Sequence, residues 1–327
     1  MKTIRWGMIG CGNVTEVKSG PALQKANNSA LVAVMRRNGD LARNYAQRHG
    51  VAKWYDNAQA LIDDPTVDAV YIATPPDSHL EYTLAVARAG KPVYVEKPMA
   101  RTHAECQAMI AACTAAGVPL WVAYYRRALP KFIQIKTLVE SGVIGNVRTV
   151  LIMLHRKARE QDPNNLPWRV IPEIAGGGHF VDLAAHTLDF LDYLLGPIQA
   201  AQGAASNQAK LYPAEDTVTG SFTFASGVQG SGNWCFCSYT RMDQVELIGD
   251  QGKITFATFE NAEPIVVTTE AGSNEYQIAP PAHIQQPLIQ SIVGELNGNG
   301  HCPSNGTSAA RTSWVMDQLL AGWRGRG

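Results

Sequence analysis

The chain has no surplus of charge of either sign: Lys+Arg number 28 and Asp+Glu 28, so the formal net charge is zero. Proteins that grip nucleic acid by its phosphates carry a basic excess, and none is present here. Charged residues make up only 17% of the sequence against 46% hydrophobic ones, the opposite of what keeps a chain disordered. Long apolar runs are missing too. None approaches the roughly 18 residues of a transmembrane span. The start, Met1-Lys2-Thr3-Ile4-Arg5-Trp6, runs into a glycine cluster without the cleavage pattern of a secretory leader. Cysteine is sparse and scattered: Cys11, Cys106, Cys113, Cys235, Cys237 and Cys302 show no disulfide framework and no CxxC pair of zinc spacing. These absences set the expectation of a reduced, cytoplasmic protein with no membrane, nucleic-acid or metal partner.

What is present is two domains' worth of sequence, 327 residues at roughly 100–200 per domain. In the first part, short apolar runs alternate with helical patterns. Ile4–Ile9, Leu31–Val34, Ala69–Ala73, Pro92–Val95 and Leu120–Ala123 read as strands, and Leu80–Ala89 and His103–Ala116 as helices between them. That alternation predicts βαβ units and a doubly wound parallel sheet of the Rossmann kind over residues 1–125. After Pro130 the pattern changes. A helix over Phe132–Glu140, a long strand over Val147–Leu154 and a helix from His179 to Leu195, stopped by Gly196-Pro197, lead into period-two strands from about 198 to 280. Helices over 285–297 and 306–322 close the chain. Residues 126–327 are expected to form an α+β domain with a large, open, mostly antiparallel sheet. Phe222, Phe224, Trp234 and Phe236 suggest an apolar sheet face bare of helices, hence a homodimer or homotetramer joined through it. Cys235 and Cys237 read as core packing.

Gly10-Cys11-Gly12-Asn13-Val14-Thr15 follows the first strand and opens a helix, the context a dinucleotide fingerprint requires. Gly10 permits the tight turn, and Gly12 lets backbone approach a pyrophosphate that the helix start at Asn13 and Val14 favours. The third glycine is replaced by Thr15, which either loosens helix–strand packing or offers its hydroxyl to the phosphate. An NAD site usually places a carboxylate at the end of the second strand. Here Arg36 and Arg37 stand there instead, two guanidiniums suited to the 2′-phosphate of NADP. Thr74, Pro75 and His79 follow the third strand, and Glu96-Lys97-Pro98 ends the next. Ligands of such sheets sit outside these strand ends. A desolvated lysine there has its pKa drawn toward the working range of a general acid–base. Asp182 and His186 are four residues apart on one helix and share a face, with His179 and Asp189 near the same stripe. Singly, each feature has a plain structural alternative: a turn, a solvated arginine pair, a strand-end lysine, a core histidine.

Taken in order and spacing, these motifs resemble the Gfo/Idh/MocA oxidoreductases, the glucose–fructose oxidoreductase and inositol dehydrogenase group. The resemblance spans nearly the whole chain and rests on the glycine turn, Ala73-Thr74-Pro75-Pro76 with His79, Glu96-Lys97-Pro98 and Tyr125-Arg126-Arg127. It rests further on Trp168-Arg169 before Gly176-Gly177-Gly178, and on Asp182-x-x-x-His186. It implies a Rossmann domain binding NADP or NAD through Gly10, Gly12, Asn13, Val14, Arg36, Arg37, Thr74, Pro75, His79, Glu96 and Lys97. It also implies a Lys97–Pro98 bond that is often cis, and hydride transfer to or from a sugar, cyclitol or related polyol or diol. Lys97, Asp182 and His186 would be catalytic: His186 exchanging the proton, Lys97 polarising the reacting oxygen, Asp182 orienting. Arg126, His155, Trp168 and Arg169 would contact the hydroxyl-rich substrate. Two alternatives remain: a non-catalytic binding protein that senses the dinucleotide, and a lyase or hydrolase that uses bound NAD transiently.

Overall fold

The apolar runs of the first part become strands because both of their faces are covered. In the computed structural model, which describes residues 1–158 and 160–325, every residue of Ala69–Ile72, Val93–Val95 and Leu120–Val122 is buried. That is the signature of parallel strands flanked by helices. In chain order the elements are β1 (Ile4–Ile9), α1 (Gly20–Lys25), β2 (Ser29–Met35), α2 (Gly39–His49), β3 (Lys53–Tyr55), α3 (Ala58–Asp63), β4 (Ala69–Ile72) and α4 (His79–Arg88). There follow β5 (Val93–Val95), α5 (His103–Ala115), β6 (Leu120–Val122), α6 (Pro130–Glu140), β7 (Val147–Lys157), α7 (Pro172–Ala175), α8 (His179–Leu195) and β8 (Ile198–Ser206). The rest are β9 (Thr217–Phe224), β10 (Gln229–Ser238), β11 (Met242–Gly249), β12 (Gly252–Phe256), β13 (Ile265–Thr269), β14 (Gly272–Tyr276), α9 (Gln286–Leu296) and α10 (Gly306–Arg324).

The chain divides into two compact units: Met1–Leu129 with Pro281–Ala310, and Pro130–Pro280 with the chain from Arg311 onward. This differs from a single cut after residue 125. The C-terminal return belongs with the parallel sheet because it completes it: Asn305 bridges Trp121, and Arg127 donates to the Pro303 carbonyl at 2.9 Å. Helical periodicity shows that a helix is packed, not what it packs on.

In the first unit six parallel strands run in the order β3-β2-β1-β4-β5-β6, so the winding reverses between β1 and β4. The sheet has one strand beyond the expected five. β3 escapes a pattern reading because it is three residues long, at an edge, with Trp54 41% exposed. Asn38 caps α2, its side chain accepting from Leu41 N at 3.1 Å, a contact worth about 1 kcal/mol.

In the second unit eight strands run β14-β13-β12-β11-β7-β10-β9-β8, antiparallel except for the β7–β10 pair. Alternation along these strands separates two faces. Phe222, Phe224, Trp234 and Phe236 all lie on the buried one. Phe180 of α8 meets Trp234 edge-on at 5.0 Å, and α10 lies so close that a Cβ on Gly220 would sit 2.3 Å from Leu319. The expectation that these four aromatics form a face without helices is therefore corrected: they are the core under α8 and α10, each worth roughly 1.5–3 kcal/mol of burial. The other face carries Leu151, Met153, Ser231, Asn233 and a row of threonines, and there Cys235 and Cys237 are half-exposed rather than core. Among the described residues no helix is long and apolar enough to cross a membrane.

Candidate active site

At the end of β1 the chain turns through Gly10 at φ +93°, and a Cβ there would lie 2.7 Å from Thr74 Cγ2 and 2.9 Å from Thr74 N. Conformation and space both require glycine. Gly12 is different. Its Cβ would meet nothing closer than Gly10 O at 3.9 Å, so the protein itself does not demand the missing side chain. Open space above a turn that leads into helix at Asn13 and Val14 fits a pyrophosphate. Thr15 does neither of the two things expected of it. It is fully buried, and its hydroxyl donates to Gly12 O at 2.8 Å, closing the turn from below. The Thr15 carbonyl accepts from the Tyr45 hydroxyl at 3.0 Å and from Gly20 N–H, which produces a π-turn over Thr15–Ser19. The close approach assigned to a third glycine occurs at Gly20, where a Cβ would fall 2.3 Å from the Tyr45 oxygen.

Arg36 and Arg37 leave β2 exposed, and Arg36 Nη1 leans to 3.5 Å from the Cys11 carbonyl, over the glycine turn. Thr74 and Pro75 follow β4, the Thr74 hydroxyl accepting from Ser78 Oγ at 2.8 Å. His79 is fully buried. Its Nδ1 lies 3.1 Å from both the Pro98 and Met99 carbonyls, and its Nε2 lies 2.8 Å from the Thr74 carbonyl. Burial lowers its pKa while the carbonyls pull the other way. With both ring nitrogens engaged, His79 braces two strand-end loops, and the expected direct contact with a cofactor gives way to that role.

Glu96 and Lys97 leave β5, and the Lys97–Pro98 bond is cis. Both oxygens of the buried Glu96 carboxylate are used internally. Oε1 accepts from the Tyr71 hydroxyl at 2.5 Å and from Gln285 Nε2 at 2.7 Å, and Oε2 from Lys97 N–H at 3.1 Å. Gln285 in turn accepts from the Tyr94 hydroxyl at 3.0 Å. Burial holds both tyrosines well above their ordinary pKa, so they remain donors. Glu96 thus fixes the backbone that presents Lys97 instead of reaching for a cofactor. Arg126, buried after β6, stacks over Tyr125 at 5.3 Å.

In the second unit, Asp182 lies in the first turn of α8 and His186 one turn on, with His186 4% exposed. Arg169 Nε approaches Asp182 Oδ2 at 3.3 Å, and its guanidinium lies 4.4 Å over the Trp168 ring. Trp168, Arg169 and Asp182 therefore form one set. His179 packs against Tyr212 and Phe236, and the buried Asp189 is reached by Thr312 Oγ1 at 3.4 Å. His155 does not join the α8 set. Val150, Ile152 and Leu154 point toward the helices, so His155 faces the opposite side of the sheet, where Nε2 lies 2.7 Å from Asn233 Oδ1.

Comparison with known proteins decides the family. The model of an oxidoreductase family with an NAD-binding Rossmann fold matches residues 4–124, and that of the GFO/IDH/MocA C-terminal domain matches 132–255. Oxidoreductase P35 of Formosa agariphila is 40% identical over 96% of this chain and 97% of its own. The chain belongs to the Gfo/Idh/MocA oxidoreductase family. The 1,5-anhydro-D-fructose reductase of Ensifer adhaerens is 28% identical over 97% of this chain and 94% of its own. The solved aldose-aldose oxidoreductase of Caulobacter crescentus superposes with a TM-score of 0.86 at 25% identity, covering 100% of this chain and 99% of that one.

For a Gfo/Idh/MocA oxidoreductase, two residues here are additions to what the motifs offered. Gln285 supports Glu96 from 189 residues away in sequence, and no local pattern announces it. Arg156, the neighbour of His155, has the parity of Leu154. It stacks over Phe259 at 6.0 Å, and the same ring meets His186 at 5.9 Å. Strand parity was the available signal, and it places Arg156 rather than His155 on the α8 face.

Proposed function

We propose that this oxidoreductase transfers hydride between a nicotinamide dinucleotide and a carbinol or carbonyl carbon of a sugar, cyclitol or related polyol. The observation that carries this reading is the row of groups at the carboxyl ends of neighbouring parallel strands: Gly10, Arg36, Thr74 and Lys97. Such ends, beside the reversal in strand order, are where open α/β sheets take their ligands. Gly10, Gly12, Asn13 and Val14 would hold the pyrophosphate, and Arg36 with Arg37 a 2′-phosphate, which favours NADP over NAD. The dinucleotide supplies the hydride chemistry. Lys97 polarises the substrate oxygen, His186 exchanges its proton and Asp182 orients the reacting groups. Arg126, Trp168, Arg169 and Arg156 serve the substrate's hydroxyls.

The names of relatives support this class: 1,5-anhydro-D-fructose reductase, levoglucosan dehydrogenase and myo-inositol 2-dehydrogenase. The test is turnover of NADP⁺ and NAD⁺ with levoglucosan and myo-inositol, and of NADPH and NADH with 1,5-anhydro-D-fructose. Turnover with NADP(H) favoured, and that preference lost in Arg36→Asp, is expected. No turnover across the panel with a tightly held dinucleotide would argue against the oxidoreductase reading. The reading includes a reducing, cytoplasmic setting, which suits six free cysteines. It also includes association of copies through the half-exposed face of the second sheet, where Leu151 and Met153 are 39% and 37% exposed.

A further inference from the structure

The run Gly176-Gly177-Gly178 precedes the helix that carries Asp182 and His186. Gly176 closes α7 at φ +81°. Gly177 and Gly178 are glycines for lack of room. A Cβ on Gly177 would lie 3.1 and 3.3 Å from the two carboxyl oxygens of Glu215, and one on Gly178 would lie 2.6 Å from the Glu215 carbonyl oxygen. Val181 Cγ2, 2.5 Å from the Gly177 position, and Ala214 Cβ, 2.9 Å from the Gly178 position, close the remaining space, with the Glu215 carboxyl lying against both glycines. Glu215 is 1% exposed, and its Oε1 accepts from Gly178 N–H at 2.7 Å. Gly178 is the N-cap position of α8 and has no side chain to cap with. A carboxyl 37 residues further along the chain therefore does the capping.

Burial opposes charge on that carboxyl, while the donors around it favour charge. Burial pushes its pKa up to about 7, against the pull of the Gly178 N–H and of the Arg324 guanidinium. Arg324 comes from α10, where it is bonded to the Gly176 carbonyl and to Asp317. From its own segment, the Asp216 carboxylate adds repulsion but is turned to the backbone N–H groups of Gln208 and Ala209. Tyr212, pushed up by burial, stays neutral, and Cys235 and Cys237 of β10 act on Tyr212. On the α8 side, the His179 ring packs on Tyr212 at 5.6 Å.

We propose that Glu215 is a positioning residue for the α8 pair: seated against Gly177 and Gly178, it fixes the start of α8 through the Gly178 N–H and with it Asp182 and His186. This rests on the reading of Asp182 and His186 given above. Glu215→Gln keeps the size and the acceptor oxygen and cannot ionise. Its kcat should therefore stay near wild type at pH 6, where the amide keeps the bond to the Gly178 N–H. NADH affinity should not change. Glu215→Ala, assayed where it is folded, should lose kcat more than it raises KM. A purely structural brace would lower the melting temperature of Glu215→Ala and leave the kcat of its folded molecules unchanged. The assay is steady-state turnover from pH 5.5 to 8.5 on the panel substrate with the highest kcat, beside His186→Ala. Wild-type kcat in folded Glu215→Ala with an inactive His186→Ala overturns this proposal alone. Wild-type turnover in His186→Ala overturns the α8 assignment and this proposal together.

Discussion

Lys97 and His186 have different kinds of support, and that difference shapes what their loss should do. Lys97 is held through its own backbone by Glu96, so Lys97→Ala leaves that scaffold intact. It should lower kcat strongly and leave dinucleotide affinity near wild type, read by steady-state kinetics and NADH fluorescence titration. His186→Ala should cost about 10²–10⁴-fold in kcat, the range of general acid–base work. If both act on one oxygen, the double variant should lose less than the product of the two singles. Gln285→Leu probes the support directly. It removes a donor to Glu96 and an acceptor for Tyr94, both buried. Stranded buried polar groups cost about 1–3 kcal/mol each, so urea denaturation should show a loss of that order, with kcat falling as well. The glycine turn, the Glu96-Lys97-Pro98 strand end and the Asp182/His186 spacing were readable because each is local chemistry. Gln285 was not, because its partner lies far away in sequence. His155 falls on the sheet face opposite α8, because one residue of parity separates it from Arg156.

Elements show a similar division. α8 was legible to the residue, since Gly196 stops it and its apolar stripe is continuous. β3 was invisible because three half-exposed residues at an edge carry no period. In the second sheet the alternation was plain, but alternation does not say which face the helices cover. Packing from α8 and α10 decided that against the expectation for Phe222 and Trp234. The first turn offers a test of element against ligand. Gly12→Ala adds a methyl where the protein has room, so its melting temperature should stay near wild type while NADH and NADPH binding weakens at least about tenfold. Gly10→Ala forces an L-residue to φ +93° against Thr74 and should cost about 1–3 kcal/mol of stability. Equal loss of cofactor binding and of stability in both variants would mean that the turn is structural only.

For the whole molecule, the shifted carboxyls set a stability window. Burial works against Asp64, but Lys53, Thr66 and Tyr55 together hold it well below its ordinary value, and the Arg5 guanidinium does the same for Asp68. Glu16, bonded by Arg48, is drawn down to about 2. These groups bind protons more readily unfolded than folded, so their contribution is present above about pH 4 and is lost as acid protonates them. Glu215 has the opposite sign. Raised from 4.5 to about 7, it binds its proton more tightly when folded, so its contribution declines as pH rises through that interval. Thermal midpoints should therefore peak between about pH 4.5 and 6, and Glu215→Gln should flatten the decline on the neutral side. Association is a separate property of the whole. Sedimentation at micromolar concentration should show more than one copy, and paired Leu151→Glu and Met153→Glu substitutions should return a monomer. A wild-type monomer would contradict association through that face.

The return of Pro281–Ala310 to the first unit also sets an order of events during synthesis. A ribosome that has reached Leu129 has already made all six parallel strands, yet the amide that holds Glu96 lies 189 residues downstream of that carboxylate. At roughly 5–20 residues per second, the stretch from Leu129 to Gln285 takes about 8–30 seconds. Until then the strand end that presents Lys97 lacks its clasp, and its full set of hydrogen bonds can form only once Gln285 has been made.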